Sequence, residues 1–368
     1  MRSPHIPEIS CRELGDRMHP TLFEKRIPLQ GSLELTLRCN LHCVHCYCTS
    51  DVTKRELSFR QIQHILDEIA EAGCLWLLFT GGEPLVREDF LDIYRYAKKK
   101  GFLITLFTNG TLLTPYIADY LEEYPPFAVE ISLYGISSST YEKITAVEGS
   151  FKRCMQGIEL LRQRNLPLQL KTMAMTLNLN EVLDIERYAQ ALGVSFRIDA
   201  ALNSRLDGCP EPCSLRIPPE EVVRLDTSHP ARVELWEKFY RDYVNGLCSD
   251  NLYDCSAGRT SFHISPYGEL TPCMMSRTPY YDLLNGSFQA GWTNFIPALL
   301  AQRLPLGHQC ACCKIRSLCN QCPGWGQFEN GDPLLPVEYL CRIAHLRAQT
   351  FACAEDTQYL SGNVVHKG

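Results

Sequence analysis

Three cysteines near the N-terminus have a spacing suited to metal binding: Cys39, Cys43 and Cys46. Their C-x3-C-x2-C run lets three thiolates on one short loop face a common point. A cubane iron–sulfur cluster has four irons, so three cysteines leave one iron open to a small molecule. An open metal position is typical of a catalytic site. Spacing alone also permits a zinc site in which His42, His45 or Cys48 supplies the fourth ligand.

A second set of cysteines lies in the last third of the chain: Cys248, Cys255, Cys273, Cys310, Cys312, Cys313, Cys319, Cys322 and Cys341. The run Ser265-Pro-Tyr-Gly268 predicts a hairpin turn that brings Cys255 and Cys273 together. The C-x2-C pairs at 310–313 and 319–322 offer further ligands. On their own, these pairs are as typical of a zinc ribbon as of iron–sulfur ligation.

The composition limits the kind of protein that carries these cysteines. The chain has 368 residues, of which 45% are hydrophobic and 21% charged, and this excludes disordered, collagen-like and coiled-coil proteins. The net charge of -6 argues against a strongly electrostatic nucleic-acid binder. No apolar run is long enough to span a membrane, and the N-terminus lacks the apolar segment of a signal peptide. We therefore expect a cytoplasmic protein whose nineteen cysteines serve metals rather than disulfides.

The elements that position the first cysteines form a βα repeat. Short apolar runs alternate with amphipathic stretches, which predicts a parallel sheet wrapped by helices. One such helix is expected from Phe59 to Ala72, with Ser58 as its N-cap. The predicted strands are Leu33–Leu37, Leu75–Phe79, Phe102–Phe107, Ala128–Leu133, Leu168–Met175 and Ser195–Ala200. Six units suffice for an open barrel, so the predicted fold class is α/β, a partial (β/α)6 TIM-like barrel followed by a small cysteine-rich domain.

The repeat ends near Asn203, and this sets the expected domain boundaries. One amphipathic helix is predicted from Glu220 to about Gly246. The cysteine-dense segment after it has little apolar periodicity, so we expect it to depend on metal for folding. The predicted units are an N-terminal extension at 1–30, the barrel at 31–203, a linker and helix at 204–247, the cysteine-rich domain at 248–345 and a tail at 346–368.

Three further motifs stand at the predicted strand ends, where the chemistry of such barrels is located. They are Thr80-Gly-Gly-Glu-Pro84, Thr108-Asn-Gly110 and Glu130-Ile-Ser-Leu-Tyr-Gly135. Together with the cysteine run, and in this order, they closely resemble the radical S-adenosylmethionine (SAM) enzymes. That family is marked by C-x3-C-x-Φ-C with an aromatic residue at Φ, here His45, followed by a GGEP motif. The resemblance covers Ser32 to Ala200.

The resemblance implies that Cys39, Cys43 and Cys46 are catalytic and hold a [4Fe-4S] cluster whose open iron is chelated by SAM. It implies reductive cleavage of SAM to a 5'-deoxyadenosyl radical, which abstracts hydrogen from a substrate C–H bond. The cofactor-binding residues that it implies are Gly81, Gly82 and Glu83 for the methionine amino group, Asn109 and Ser132 for the carboxylate or ribose, and His45 or Tyr47 for the adenine.

The second cysteine set resembles the SPASM extension of this family, which holds two auxiliary [4Fe-4S] clusters. The cofactors expected from the resemblance are thus three [4Fe-4S] clusters and SAM. The implied ligands are Cys248, Cys255, Cys273 and Cys322 for the first auxiliary cluster, and Cys310, Cys313, Cys319 and Cys341 for the second. Because the final spacing is shorter than the family's usual one, whether Cys312 or Cys313 is a ligand stays open. With eight ligands, the auxiliary clusters relay electrons or hold the shape of the site.

The SPASM branch mostly modifies peptides and proteins, so a ribosomally made peptide or protein side chain is the expected substrate. A tetrapyrrole or other small molecule is the alternative, and a non-catalytic zinc or iron–sulfur binding protein is the alternative outside this family. Met274 stands where sulfatase-maturing members have Asp, which disfavours sulfatase maturation. The residues before the first strand are too few for a fused leader-peptide-binding domain, so we expect a separate protein or the barrel edge to bind a leader. A reductase with flavodoxin or ferredoxin is the expected electron donor, and no nucleic-acid or membrane partner is expected.

Five side chains on the last two predicted strands are candidates for the substrate pocket: Lys171, Met173, Met175, Arg197 and Asp199. Core packing is the simpler explanation of the methionines. Arg197 and Asp199 alternate on a strand and face the same side, where we expect them to contact the adenosyl group or the substrate. Cys74 and Cys154 are expected to pack in the core, whereas Cys209 and Cys213 could form a redox or metal pair.

Overall fold

A computed structural model describes residues 21–49, 54–244 and 249–352. Nine strands form one sheet in the order β6-β5-β4-β3-β2-β1-β7-β8-β9. The strands are β1 (Gln30–Thr36), β2 (Trp76–Gly81), β3 (Leu103–Thr108), β4 (Ala128–Ser132), β5 (Leu168–Met173), β6 (Ser195–Asp199), β7 (Ser261–Ile264), β8 (Glu269–Thr271) and β9 (Tyr281–Asp282). Strands β1 to β6 are parallel neighbours in chain order, as the βα repeat predicts.

Helices connect these strands. The helix Phe59–Glu71 shows why the sequence forms them: four apolar side chains one or two turns apart are buried, and Ser58 and Gln61 form a capping box at its start. The other α-helices are Phe90–Lys99, Pro115–Glu123, Ser138–Thr145, Ser150–Gln163, Val182–Ala191, Pro219–Asp226, Pro230–Tyr243, Phe288–Ala290, Ile296–Leu300, Pro323–Asn330 and Glu338–Phe351. The predicted α/β partial barrel is thereby confirmed, because each of the six expected strands is present.

The segment after the barrel extends the same sheet. Strand β7 pairs in parallel with β1, and β8 and β9 add antiparallel neighbours. The turn between β7 and β8 is the predicted hairpin, with Gly268 at φ +83°. Phe262 and Phe288 pack into the large core that the barrel strands and helices share. The cysteine-rich segment is therefore joined to the barrel through residues 261–296 and is less separate than the domain prediction implies.

Two details of the C-terminal part differ from the sequence-based expectation. The single helix predicted from Glu220 to about Gly246 is two helices, Pro219–Asp226 and Pro230–Tyr243. Pro230 lacks an amide hydrogen and so begins the second helix instead of continuing the first. The helix Glu338–Phe351 also runs through the boundary expected at residue 345. Among the described residues, no helix is both long and apolar enough to cross a membrane.

Candidate functional site

The cluster loop, residues 37–49, follows β1 and carries Cys39, Cys43 and Cys46, with Cys48 close behind them. Backbone hydrogen bonds anchor it to the end of the helix Ser138–Thr145, with His42 N to Thr145 O at 3.0 Å and Val44 N to Ile144 O at 2.9 Å. A further bond joins Cys46 N to Cys43 O at 3.0 Å. These backbone hydrogen bonds fix the conformation of the cluster loop.

The three thiols of this loop lie close enough to affect one another electrostatically. Burial raises the pKa of Cys39 and of Cys43, and the neighbouring thiols raise both further. A hydrogen bond from Cys48 lowers the pKa of Cys46 to about 7. The three thiols are thus neighbours within electrostatic range, and Cys48 stands beside Cys46.

The GGEP motif approaches this loop so closely that only glycine fits. A Cβ on Gly81, whose φ is +137°, would lie 2.1 Å from Thr36 O, and one on Gly82 would lie 2.3 Å from Arg38 O. Gly82 N donates to Thr36 O at 2.8 Å, and Glu83 N donates to Arg38 O at 2.9 Å. The end of β2 is therefore held against the start of the cluster loop.

The Glu83 carboxylate is fully buried and is used inside the protein. It accepts hydrogen bonds from Thr108 Oγ1 at 2.8 Å, from Asn109 N at 2.7 Å and from Leu85 N at 3.1 Å. Burial raises its pKa to about 7, although these hydrogen bonds oppose the shift. The Glu83 side chain thus fixes the TNG motif. Because its carboxylate is used in this way, only the backbone of the GGE segment can face a ligand.

Asn109 connects Glu83 to the cluster loop. Its Nδ2 lies 3.8 Å from Cys39 Sγ and donates to Asn40 Oδ1 at 2.9 Å. Its Oδ1 accepts from the Thr111 hydroxyl at 2.6 Å, and that hydroxyl accepts from Asn40 Nδ2 at 2.8 Å. Sequence reasoning missed Asn40 and Thr111, although their places beside Cys39 and the TNG motif were a usable signal.

His45 lies on the other side of the cluster loop, against β4. Its ring meets Tyr134 edge to face, with centroids 4.5 Å apart. Burial lowers the pKa of His45 to about 4, so the imidazole is neutral near pH 7. Its Nδ1 is buried and has no hydrogen-bond partner among the described residues. The Ser132 side chain is hydrogen-bonded to Tyr134.

Tyr47 lies apart from His45. Its side chain is near a buried network of charged residues carried in part by β1 and β7. Arg277 binds the Glu34 carboxylate through both terminal nitrogens at 2.7 and 2.8 Å, and its Nη1 lies 2.9 Å from His263 Nε2. Burial raises the pKa of Glu34, but His263 and Arg277 outweigh it and the pKa falls to about 2. This network was not predicted, because its members are far apart in sequence.

The expected pocket residues on β5 and β6 form a second charge network. Glu130 accepts from Lys171 Nζ at 2.9 Å and from Arg197 Nη2 at 2.7 Å. Lys171 Nζ also lies 3.2 Å from the centroid of the Phe107 ring, and burial lowers its pKa to about 8. Arg197 and Asp199 are both exposed on one side of β6, as their alternation predicts.

The methionines and the remaining cysteines divide by their burial. Met175 is fully buried in an apolar cluster that Met173 also contacts. Cys74 and Cys154 are buried in the core, as expected. Cys209 and Cys213 are partly exposed and close enough for Cys209 to raise the pKa of Cys213, although burial is the larger cause.

The downstream cysteines fall into two thiol groups. Their members, grouped by mutual electrostatic influence, are Cys255, Cys273 and Cys322 in the first thiol group and Cys310, Cys313, Cys319 and Cys341 in the second. Cys248 lies outside the described residues, and Cys312 is exposed. All four members of the second thiol group line one cavity, and Cys322 of the first thiol group lines it as well.

Among the described residues, no three His, Cys, Asp or Glu side chains are close enough to hold a single metal ion.

Comparison with known proteins agrees with this geometry. Residues 33–189 match the Radical SAM superfamily. An AdoMet-dependent heme synthase of Methanosarcina barkeri is 39% identical over 44% of this chain and 46% of its own length, so this chain spans less than half of that relative. A heme synthase of the same description from Nitratidesulfovibrio vulgaris is 25% identical over 88% of this chain and 96% of its own.

Peptide-modifying relatives match as well. The PqqA peptide cyclase of Bradyrhizobium diazoefficiens is 28% identical over 67% of this chain and 67% of its own. The crystal structure of Streptococcus suis SuiB bound to its precursor peptide SuiA has a TM-score of 0.66 and 15% identity, over 88% of this chain and 80% of SuiB. This likeness establishes a shared fold. The family match over residues 33–189 shows that the chain contains a radical SAM domain.

Proposed function

We propose that this protein is a radical SAM oxidoreductase that abstracts hydrogen from a C–H bond of its substrate. The observation that carries the proposal is the convergence of the cluster-loop thiols with the ends of β2 and β3, joined through Glu83 and Asn109. A [4Fe-4S] cluster with SAM on its open iron supplies a 5'-deoxyadenosyl radical when it is bound. The protein supplies the ligands, the orientation and the exclusion of water.

Each part of the site has a role in this proposal. Cys39, Cys43 and Cys46 hold the cluster. The resemblance assigns the backbone of Gly81 and Gly82 to the methionine amino group, and the absence of a Cβ lets both residues pack against Thr36 O and Arg38 O at the start of the cluster loop. Glu83 is a positioning residue, since its carboxylate is consumed by the TNG motif.

His45 fits the adenine better than Tyr47 does. The unpartnered Nδ1 of His45 is a buried polar atom that calls for a hydrogen-bond partner, and the ring edge of adenine offers both donors and acceptors. Ser132 stands next to Tyr134 on the same side of the loop and fits the ribose. Arg197 on β6 binds Glu130 on β4, so we assign Arg197 to the substrate side of the barrel.

The two thiol groups support two auxiliary [4Fe-4S] clusters, with Cys248 completing the first. Their grouping matches the ligand sets that the SPASM resemblance implies. With every iron ligated, these clusters pass electrons or stabilise the fold. The electron donor in this proposal is a flavodoxin or ferredoxin with its reductase, and the location is the cytoplasm, where thiols stay reduced.

A ribosomally made peptide or protein side chain is the proposed substrate, recognised with or without a separate leader-peptide-binding protein. The likeness to PqqA peptide cyclase supports this class. A tetrapyrrole is the second candidate, because one heme synthase matches 88% of this chain. Incubation with SAM and reductant in the presence of either a precursor peptide or a carboxylated porphyrin separates the two, since only the true substrate changes mass by loss of hydrogen or a derived group.

The radical step itself is tested without a substrate. Anaerobically reconstituted protein, given SAM and a strong reductant, is expected to form 5'-deoxyadenosine. The triple variant Cys39→Ala/Cys43→Ala/Cys46→Ala should form none, whereas the matched control Cys74→Ala, which alters a buried cysteine away from the site, should keep the wild-type amount. Equal product from the triple variant, or zinc in place of iron in the wild-type protein, would contradict the proposal.

A further inference from the structure

A fourth cysteine stands in the proposed SAM site. Cys48 follows Cys46 by two residues, so the run is C-x3-C-x2-C-x-C. Its thiol is within hydrogen-bonding reach of the Cys46 thiol, and its Sγ donates to the carbonyl oxygen of Gly81 at 3.9 Å. Cys48 therefore bridges the cluster thiols and the backbone to which the methionine amino group is assigned.

Packing does not account for this position. The cysteines that serve as small apolar residues, Cys74 and Cys154, are buried among aliphatic and aromatic side chains. Cys48 instead lies beside two polar groups, the Cys46 thiol and the Gly81 carbonyl, and within electrostatic range of the Glu34–Arg277 ion pair. A thiol in such polar surroundings, beside a proposed cluster ligand, is placed as a metal ligand would be.

We propose that Cys48 binds the open iron of the cluster when SAM is absent and is displaced when SAM binds. This rests on the proposed function, because it needs a [4Fe-4S] cluster on Cys39, Cys43 and Cys46. In the exchange the iron–sulfur bond to Cys48 breaks and an iron–nitrogen bond to SAM forms. The SAM ammonium loses a proton to coordinate iron, the Cys48 thiolate takes up that proton, and no electron is transferred. The thiol then donates to Gly81 O, its present neighbour.

Two consequences follow from such a ligand. A cluster with three protein ligands loses its open iron on mild oxidation, whereas a fourth thiolate keeps that iron in place. The same ligand competes with SAM, so the apparent affinity for SAM is lowered by the fraction of protein in the uncapped state. With about nine-tenths of the protein capped, SAM binds about tenfold more weakly than to an uncapped site.

The test uses full-length, anaerobically reconstituted protein without SAM. Limited ferricyanide is added, and the signal of the oxidised three-iron cluster is measured by electron paramagnetic resonance. Wild-type protein and the control Cys74→Ala should stay near the level of the Cys39/Cys43/Cys46 triple-alanine variant, which can carry only auxiliary clusters. Cys48→Ala should give several-fold more signal, and SAM added before the oxidant should suppress it.

Equal signals from wild-type protein and Cys48→Ala would overturn the inference while leaving the proposed function intact. Equal iron content in wild-type protein and the triple variant would overturn both. Because Cys48→Ala could lose its cluster altogether, Cys48→Ser provides an independent measurement by equilibrium dialysis with SAM. Its Kd should be about tenfold lower than that of the wild type, and an unchanged Kd would again overturn the inference.

Discussion

The cluster loop and the second thiol group hold their cysteines by different means. Backbone hydrogen bonds and the ends of β2 and β3 fix the cluster loop, and one large apolar core supports those strands. The second thiol group surrounds a cavity and is supported by small clusters of buried residues, such as Ile315 with Leu318 and Leu252 with Leu304. Under the proposed assignment of the clusters, the fold positions the metal ligands in the first region, whereas in the second region the metal contributes to folding.

Removal of iron should give the largest difference between the two regions. Anaerobic chelation should abolish most of the amide protection of residues 310–341, by more than about a thousandfold, because metal binding contributes directly to folding there. Strands β2 to β4 should keep their protection, since the core beneath them contains no metal ligand. Hydrogen exchange followed by mass spectrometry measures both regions in one sample. A similar loss of protection in both would show that the barrel also needs its cluster to fold.

A glycine pair sharpens the comparison on the barrel side. Gly81→Ala should destabilise the protein by about 3 kcal/mol, because the new Cβ would overlap Thr36 O in addition to straining the backbone. Gly101→Ala is the matched control, since Gly101 also has a positive φ but no atom within 4 Å of a Cβ. It should cost about 1 kcal/mol. Denaturant unfolding followed by far-UV circular dichroism gives both values, and equal costs would contradict the close approach at Gly81.

The buried carboxylate of Glu83 gives a pH-dependent test. Its pKa is about 7 in the folded protein against a model-peptide value of 4.5, so the folded state binds more protons between these values. Stability from this group is therefore complete below pH 4.5 and is lost as the pH rises through 7, by about 3.4 kcal/mol.

Glu83→Gln cannot titrate at this position, so it should lack that decrease. The substitution also adds a constant cost, because an amide NH2 faces a donor from Asn109 or Thr108. Unfolding free energies at a series of pH values separate the constant cost from the slope. Parallel curves for the wild type and the variant would show that Glu83 does not titrate in this range.

The smallest effect on stability is expected at β6. Arg197→Ala should change the free energy of unfolding by less than about 1 kcal/mol. The Arg197 side chain is 55% exposed, and its partner Glu130 stays ion-paired with Lys171 in the variant. If Arg197 lies on the substrate side, turnover of substrate should fall while SAM affinity is unchanged. Unchanged turnover, measured beside the exposed control Arg187→Ala, would remove Arg197 from the site.

The barrel was predictable because its signals are local. Buried parallel strands have continuous apolar sequences, so β1 to β6 could be predicted. The strand-end motifs follow these runs directly, which made the approach of Asn109 to Cys39 accessible from sequence. The pairing of β1 with β7 has no local signal, since the apolar face of β1 is compatible with several partners. The bond from Arg277 to Glu34 was missed for the same reason, as the two residues are 243 positions apart.

The parallel pairing of β1 with β7 also has a consequence for the order in which the chain matures. Gln30 pairs with Ser261, so the strand that leads into the cluster loop lacks one neighbour until β7 has been synthesised. Contacts of such long sequence separation form late and slow folding. The cluster-loop cysteines are therefore synthesised well before the sheet that supports them is complete, and they must stay reduced through that interval.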